Sequence, residues 1–235
     1  MRQSSFLAVS CDRTRPAPTS ADADFIAVCE QSTEQYLCKG QKKARHLPST
    51  EWICSSLARD IGLPTPPFEI IELKSDPGVY LFGSQWLAGS EDCLTAWQKV
   101  HNSELFSRIY GVDVFTHNDD RHLGNYLYIN ILGEITLKPI DFSRSWRHHG
   151  WPMPDPPLQS DCNTIMTKAV WEERFVYEKP SSVLESISKL PTEWMSATLS
   201  TLPEQWLSDV ERNYMIEWWV SPARQIRTNR ANSIL

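Results

Sequence analysis

The run His117-Asn118-Asp119-Asp120-Arg121-His122-Leu123-Gly124-Asn125 is the densest polar stretch of the chain that lies between apolar flanks. Val112, Val114 and Phe115 precede it, and Tyr126, Leu127, Tyr128 and Ile129 follow it. A polar loop pinned between two core elements is costly unless its groups are satisfied or have work to do. Beyond it, two β-type runs at 126–131 and 135–140 flank Leu132-Gly133-Glu134, which reads as a hairpin with a glycine turn. The second run ends in Ile140-Asp141-Phe142-Ser143. The base of such a hairpin brings Asn125 and Asp141 close together. One amide oxygen and one carboxylate at that base suit Mg2+, which takes one or two carboxylates plus phosphate oxygens and water. Asp120, on the loop itself, would then face an attacking hydroxyl.

Working outward from this stretch, the front of the chain is strand-rich. The first two dozen residues read as a strand and a loop. Phe25 to Cys29 and Tyr36 to Lys39 form a hairpin around a polar turn at 31–34. A helix is expected from Glu51 to Ile61, because Trp52, Ile53, Leu57, Ala58 and Ile61 recur at helical spacing. Ser49 or Thr50 would cap it, and Gly62 followed by Pro64 would end it. Runs at 68–73 and 79–83 add two strands, and a helical stretch covers about 93–114. The segment 150–161 is a proline-rich loop that cannot be helical. From 163 onward the pattern is helical. Its expected core is Trp171, Phe175, Leu184, Ile187, Leu190, Trp194, Leu199, Trp206, Val210, Tyr214 and Trp218. The fold class is therefore α+β, with a strand-rich front and a helical rear.

Composition bounds the partners. With 235 residues the chain can bury a real core without staples. Lys and Arg number 23 against 29 Asp and Glu, a net charge of −6, which argues against a general nucleic-acid binder. It leaves room for a local basic pocket. No apolar run approaches the roughly 18 residues a membrane span needs. The apolar stretch at 6–9 is shorter than a signal-peptide core of about 7 or more residues, so a cytoplasmic location is expected. The six cysteines, at 11, 29, 38, 54, 93 and 162, show no CxxC pair and no zinc spacing. In a reducing compartment they are expected to be buried small hydrophobes without a disulfide.

The order of the polar residues resembles a known arrangement. An Asp, four residues, an Asn and a distal Asp-Phe-Gly make up the kinase catalytic pattern. Here Asp120, Asn125 and Asp141-Phe142-Ser143 follow it, in the form Asp-Arg-His-x-x-Asn. That form is similar to the HipA-like kinases and to the phosphoinositide-kinase group. Tyr36-Leu37-Cys38-Lys39 looks like the strand carrying the ATP-pairing lysine. The segment from Glu51 through Gly62-Leu63-Pro64-Thr65-Pro66 resembles the helix-then-Gly-Leu-Pro-x-Pro segment of HipA-like kinases. The resemblance to that family spans roughly residues 10–145.

The resemblance implies a two-lobed protein-kinase-like fold, with a β-rich N-lobe over 1–86 and a helical C-lobe over 87–235. It implies an ATP- and Mg2+-dependent phosphotransferase that modifies a Ser or Thr hydroxyl of a protein. Bacterial members are often toxins restrained by an antitoxin. Lys39 matches the lysine that pairs the nucleotide phosphates, and Asp120 matches the catalytic aspartate. Asn125 and Asp141 match the magnesium ligands. His122 matches the motif histidine, in a loop-ordering or phosphate-contact role. The backbone of Gln85, Trp86 and Leu87 falls where adenine is bound. No GxGxxG precedes Lys39; the nearest equivalent is the segment 10–16, where backbone N–H groups with Arg13, Arg15 and the Thr14 hydroxyl would cradle phosphates. The chain is short beside full-length HipA proteins, which suggests a separate small partner in place of their extra N-terminal subdomain.

Other readings compete. Glu51 in a first helical turn is satisfied by the helix dipole, and is expected to sit too far from the pocket to pair with Lys39. Asp119 reads as a turn residue, and His148-His149 as surface residues. The segment 150–161 falls where an activation segment would lie, with Ser143, Ser145 and Ser10 as candidate autophosphorylation sites. Rival functions are a lipid or small-molecule kinase of the same superfamily and a nucleotide-binding pseudokinase. A third is a metal-dependent nuclease or phosphoesterase built on His117, Asp119, Asp120 and His122.

Overall fold

The computed structural model describes residues 7–17, 22–29, 32–87, 91, 93–150 and 158–235. The candidate activation segment lies mostly outside the described residues. Among the described residues, the front of the chain forms a six-stranded sheet and a long helix. The strands are β1 (Ala8–Cys11), β2 (Arg13–Arg15), β3 (Phe25–Val28), β4 (Gln35–Lys39), β5 (Phe68–Leu73) and β6 (Tyr80–Gln85), in the order β1-β5-β6-β4-β3-β2. β1 runs parallel to β5; the remaining neighbours are antiparallel. In β4 the register sets Lys39 opposite Phe82 of β6, which fixes where the lysine stands relative to the cleft.

The helix α1 (Leu47–Asp60) begins earlier than its hydrophobic period suggests. Pro48 falls inside its first turn rather than before it. There a missing N–H costs nothing, because that donor has no intrahelical partner. The shift moves Glu51 out of the first turn and onto a buried face, at 2% exposure. The end is as expected. Gly62 takes φ +77, its N–H donates to Arg59 O, and the Leu63 N–H reaches back to Ala58 O. These two bonds close a Schellman motif over the last carbonyls.

The expected helix over 93–114 is divided. A short α2 (Cys93–Ala96) and a 3-10 turn lead to Val100, which takes an extended conformation and bridges to Ile135. The polar residues His101, Asn102 and Ser103 then restart the chain as α3 (Glu104–Thr116). Gly111 of α3 lies against the backbone of Pro180, where an added Cβ would meet Pro180 Cα at 2.9 Å. The hairpin follows as β7 (Tyr126–Ile131) and β8 (Glu134–Pro139), turned through Leu132 at φ +53 and Gly133 at φ +90. Two successive positive φ values are those of a type I′ turn, whose twist matches the flanking strands.

The rear consists of α4 (Asn163–Val170), α5 (Glu178–Ser188), α6 (Trp194–Ser200), α7 (Asp209–Val220) and α8 (Pro222–Asn232). Trp171, Phe175, Leu184, Ile187, Trp194, Leu199 and Trp206 are buried as expected. Val210 and Tyr214 are not; Val210 is 80% exposed. The buried residues of α7 are Met215 and Trp219, one position further round the helix than the stripe read from 210, 214 and 218. Trp218 packs at the edge of the core.

The cysteine expectation needs a correction. Cys11 and Cys29 are joined by a disulfide, with their Cα atoms 4.3 Å apart. The pairing follows from the sheet: Arg13 stands opposite Val28, and the Asp12 N–H donates to Val28 O, so the residues flanking that contact face each other. Cys38 and Cys54 are buried thiols, and Cys93 and Cys162 are partly buried.

Candidate active site

A cleft of about 70 Å3 lies between the sheet and the β7–β8 hairpin. Leu37, Phe68, Phe82, Leu127 and Ile140 give it apolar walls, and Lys39, Glu51 and Asp141 stand together at one end. Lys39 is 4% exposed and its Nζ lies 2.6 Å from Glu51 Oε1 and 2.8 Å from Asp141 Oδ1. Residues from β4, α1 and the end of β8 therefore converge on one ammonium. The expected isolation of Glu51 is corrected here: the early start of α1 carries it to the lysine.

The charges explain the electrostatics. Burial works against the Lys39 ammonium, but the Asp141 and Glu51 carboxylates outweigh it and hold the pKa above the ordinary lysine value. For Asp141 burial pushes the pKa up; the Lys39 charge and hydrogen bonds from Lys39 and Ser143 more than reverse this, so the acid is stronger than usual. One cation cannot satisfy two carboxylates equally. Glu51, the more deeply buried, is pushed up to about 7 by desolvation, with the Lys39 charge offsetting only part of it and the Asp141 charge adding to it.

Asp141 occupies the left-handed region at φ +59, an uncommon conformation for a residue with a side chain. Its surroundings hold it there. The Phe142 N–H donates to Glu51, and the Ser143 N–H donates to Asp141 Oδ1 at 3.2 Å. The Ser143 hydroxyl donates to Asp22 Oδ2 at 2.6 Å.

Arg121 builds the other side of the site, and sequence reasoning assigned it no role. It is 1% exposed and forms a two-pronged ion pair with Asp113, Nε to Oδ2 and Nη2 to Oδ1, both at 3.0 Å. Its Nη1 donates to Asn125 O at 2.8 Å and to Ile140 O. Its guanidinium lies 4.7 Å from the centre of the Phe142 ring. A single buried cation thus ties the polar loop to both ends of the hairpin base. An arginine inside so polar a motif was the available signal; its partner Asp113, a turn back in α3, was not recognisable from the sequence.

Asn125 and Asp141 flank that base, one residue before β7 and two after β8, and the Ile140 N–H donates to Asn125 O at 3.1 Å. Asn125 Nδ2 donates to Asp120 O at 2.7 Å, which leaves the amide oxygen as the atom to meet a cation. An amide oxygen and an ionised carboxylate are hard oxygen donors of the kind Mg2+ takes. Asp120 is half-buried, and its Oδ1 accepts from Asn163 Nδ2 at 2.5 Å. His122 is exposed; its Nδ1 accepts the Gly124 N–H at 3.1 Å, a loop-ordering contact.

Gln85, Trp86 and Leu87 line the cleft. The N–H groups of Gln85 and Trp86 already donate to Pro67 O and Gln35 O. Arg13 and Thr14 are not brought to it. They lie exposed on β2, at the sheet edge, paired with Val28 and Ala27. The expected phosphate-cradling loop at 10–16 is corrected: Ser10 and Cys11 belong to β1 and Arg13 to Arg15 to β2, so most of the segment is held in the sheet on both sides of the Cys11 linkage. The connection from β2 to β3 reaches the site instead, through the Asp22 contact with Ser143. His148 and His149 are half-buried rather than on the surface, in a row of ring contacts that runs His46, His148, His149, His117 at 5.3, 5.0 and 4.7 Å.

Comparison with known proteins bears on the family and the fold. Residues 15–141 match the family described as HipA-like kinase. The crystal structure of a Helicobacter pylori proinflammatory kinase, CtkA, is similar in fold, with a TM-score of 0.53 over 95% of each chain at 11% identity. The complex of Neurospora crassa PAN2 (WD40-CS1) with PAN3 (pseudokinase and C-term) aligns at a TM-score of 0.32 and 12% identity, over 100% of this chain and 65% of that one, too weak a likeness to use. No curated protein matches the chain. The family match covers more than half of the 235 residues and contains Lys39, Glu51, Asp120, Asn125 and Asp141, and the two-lobed arrangement is that of a kinase: the chain belongs to the HipA-like kinase family.

Proposed function

We propose that this protein transfers the γ-phosphoryl group of Mg-ATP to a Ser or Thr hydroxyl of a protein. The observation that carries the reading is the ammonium of Lys39 held between Glu51 and Asp141 at the end of an apolar cleft. An ion pair in that position is what phosphoryl-transfer sites use to orient the nucleotide phosphates.

The adenine would lie between Leu37, Phe68, Phe82 and Leu127. With two N–H groups consumed in the sheet, its polar edge would meet the carbonyls of 85–87 and the Leu87 N–H. Lys39 would pair with the phosphates. Asn125 and Asp141 would hold Mg2+, which when bound neutralises charge on the phosphate oxygens. Asp120 would accept the hydroxyl proton as the acceptor oxygen bonds to phosphorus and the bond to the bridging oxygen breaks, releasing ADP. Little of this is covalent work by the protein; positioning and charge stabilisation supply the rate.

The test is incubation of the purified chain with Mg2+, labelled ATP and a cell lysate, followed by mapping of phosphosites. Label is expected in protein Ser or Thr, and Asp120→Asn or Asp141→Asn should abolish it while the protein stays folded. Asn is chosen at 141 because it tolerates the left-handed backbone. Unchanged turnover in a folded Asp141→Asn variant would reject the site. Label confined to lipid or small metabolites would favour the small-molecule reading. Nucleotide binding without transfer would favour a pseudokinase.

A further inference from the structure

The first turn of α4 is fastened to the loop that carries Asp120. Asn163 Nδ2 donates to Asp120 Oδ1 at 2.5 Å. Next to it, the Thr164 hydroxyl donates to Asn118 O at 2.6 Å and accepts the Arg121 N–H at 2.9 Å. The Thr164 N–H completes the set on Asp119 O at 3.4 Å. Each residue from 118 to 121 is thereby held by one of two neighbouring residues more than forty positions away in sequence. Asn163 also shares an open polar cavity with Asp119, Asp120, Arg144 and Asp161, so its contact with Asp120 lies on a solvent-accessible face of the loop.

We propose that Asn163 is a positioning residue for phosphoryl transfer, fixing the rotation of the Asp120 carboxylate by occupying Oδ1 so that Oδ2 is presented to the acceptor hydroxyl. The inference rests on the reading of Asp120 as the group that receives the hydroxyl proton. A carboxylate on its terminal torsion has a broad, roughly two-fold energy profile, so nothing intrinsic holds it in one orientation. An amide is suited to hold it, because Nδ2 carries hydrogens to donate. A carboxylate of the same shape has none, and would set a second negative charge against the first.

Two variants separate positioning from support of the helix. Asn163 is the first residue of α4, after the Cys162 N-cap. An acid in that turn is at least as favourable to the helix as an amide. A structural role therefore predicts that Asn163→Asp behaves as wild type. A positioning role predicts that Asn163→Asp and Asn163→Ala both lower kcat, by roughly ten- to a hundredfold. The Asp variant should be at least as impaired as the Ala variant, with the KM for ATP and the melting temperature unchanged. Wild-type kcat in Asn163→Asp would overturn the positioning role alone. An effect on KM for ATP with kcat intact would do the same. A wild-type chain that transfers no phosphate under conditions where it binds ATP would overturn both this inference and the activity beneath it.

Discussion

The backbone N–H of Phe142 donates to both carboxylate oxygens of Glu51, at 3.1 Å each. A helix of the front half and the residue after Asp141 are thus joined through one buried acid, and the same acid pairs with Lys39. Glu51 therefore couples the position of α1 to the left-handed backbone of Asp141. Its carboxylate has three claims on it, from an ammonium and, through both oxygens, from a peptide N–H.

Loss of Lys39 should be expensive in stability, and the cost should be partly recoverable. Lys39→Met leaves Glu51 buried without a counter-ion and is expected to destabilise by roughly 3–5 kcal/mol. In Lys39→Met/Glu51→Gln the amide oxygen still accepts from Phe142, and the one carboxylate left without its ammonium is Asp141, whose side chain is partly exposed. Urea denaturation should show the double variant recovering more than half of the loss. Equal midpoints for the single and double variants would refute the claim that the stranded carboxylate dominates.

Arg121 does not line the cleft, yet it should matter to folding as much as Lys39 does. Arg121→Ala strands Asp113, which is fully buried, and removes the donors on Asn125 O and Ile140 O. A cost of about 3–5 kcal/mol is expected. Arg121→Lys keeps the charge and loses the two-pronged geometry, so its midpoint should fall between the two. A melting curve for Arg121→Ala that overlays wild type would contradict this.

Acid should destabilise the protein through its histidine row. Burial is the chief cause that lowers His46 to about 4, with His148, Arg147 and Arg144 adding to it. Burial also lowers His117 to about 4, helped by His149 and Arg227. The folded values lie below the ordinary histidine value of 6.5, so the unfolded chain binds more protons between them. Their contribution is complete above pH 6.5 and is lost as pH falls toward about 4. Melting temperatures measured across that window should drop for wild type and drop less for His46→Gln/His117→Gln. Parallel curves would show that other groups control the acid limb.

Close packing at Gly111 gives a test away from the site. A methyl group there meets the Pro180 backbone, which cannot rotate aside as a side chain would. Gly111→Ala should gain helix propensity and still lose about 1–3 kcal/mol by forcing α3 from α5. A stabilised variant would mean that the two helices separate easily.

The strands and the hairpin were legible because their signals are local. The run 68–73 is rich in apolar and β-branched residues and is bounded by prolines and a polar turn, and the structure puts β5 at those residues. The polar motif was legible because its residues cluster, and the spacing from Asp120 to Asn125 follows from one short loop. Other features were read wrongly where a local signal had two meanings. A proline at position 48 serves equally well before a helix or within its first turn, and the choice decided whether Glu51 met Lys39. The stripe at 210, 214 and 218 is periodic, but periodicity gives a helix and not the face that is turned inward.

By itself the sequence determined which side chains were available for chemistry and how the chain divides into strands and helices, since hydrogen bonding and burial over a few residues settle those. Only the tertiary structure decided which of them meet. Glu51 with Lys39, Arg121 with Asp113 and Ile140, Asn163 with Asp120, and Cys11 with Cys29 are pairings across elements. Their strength comes from burial and from charges with no water to screen them, and both arise only when the chain has closed on itself.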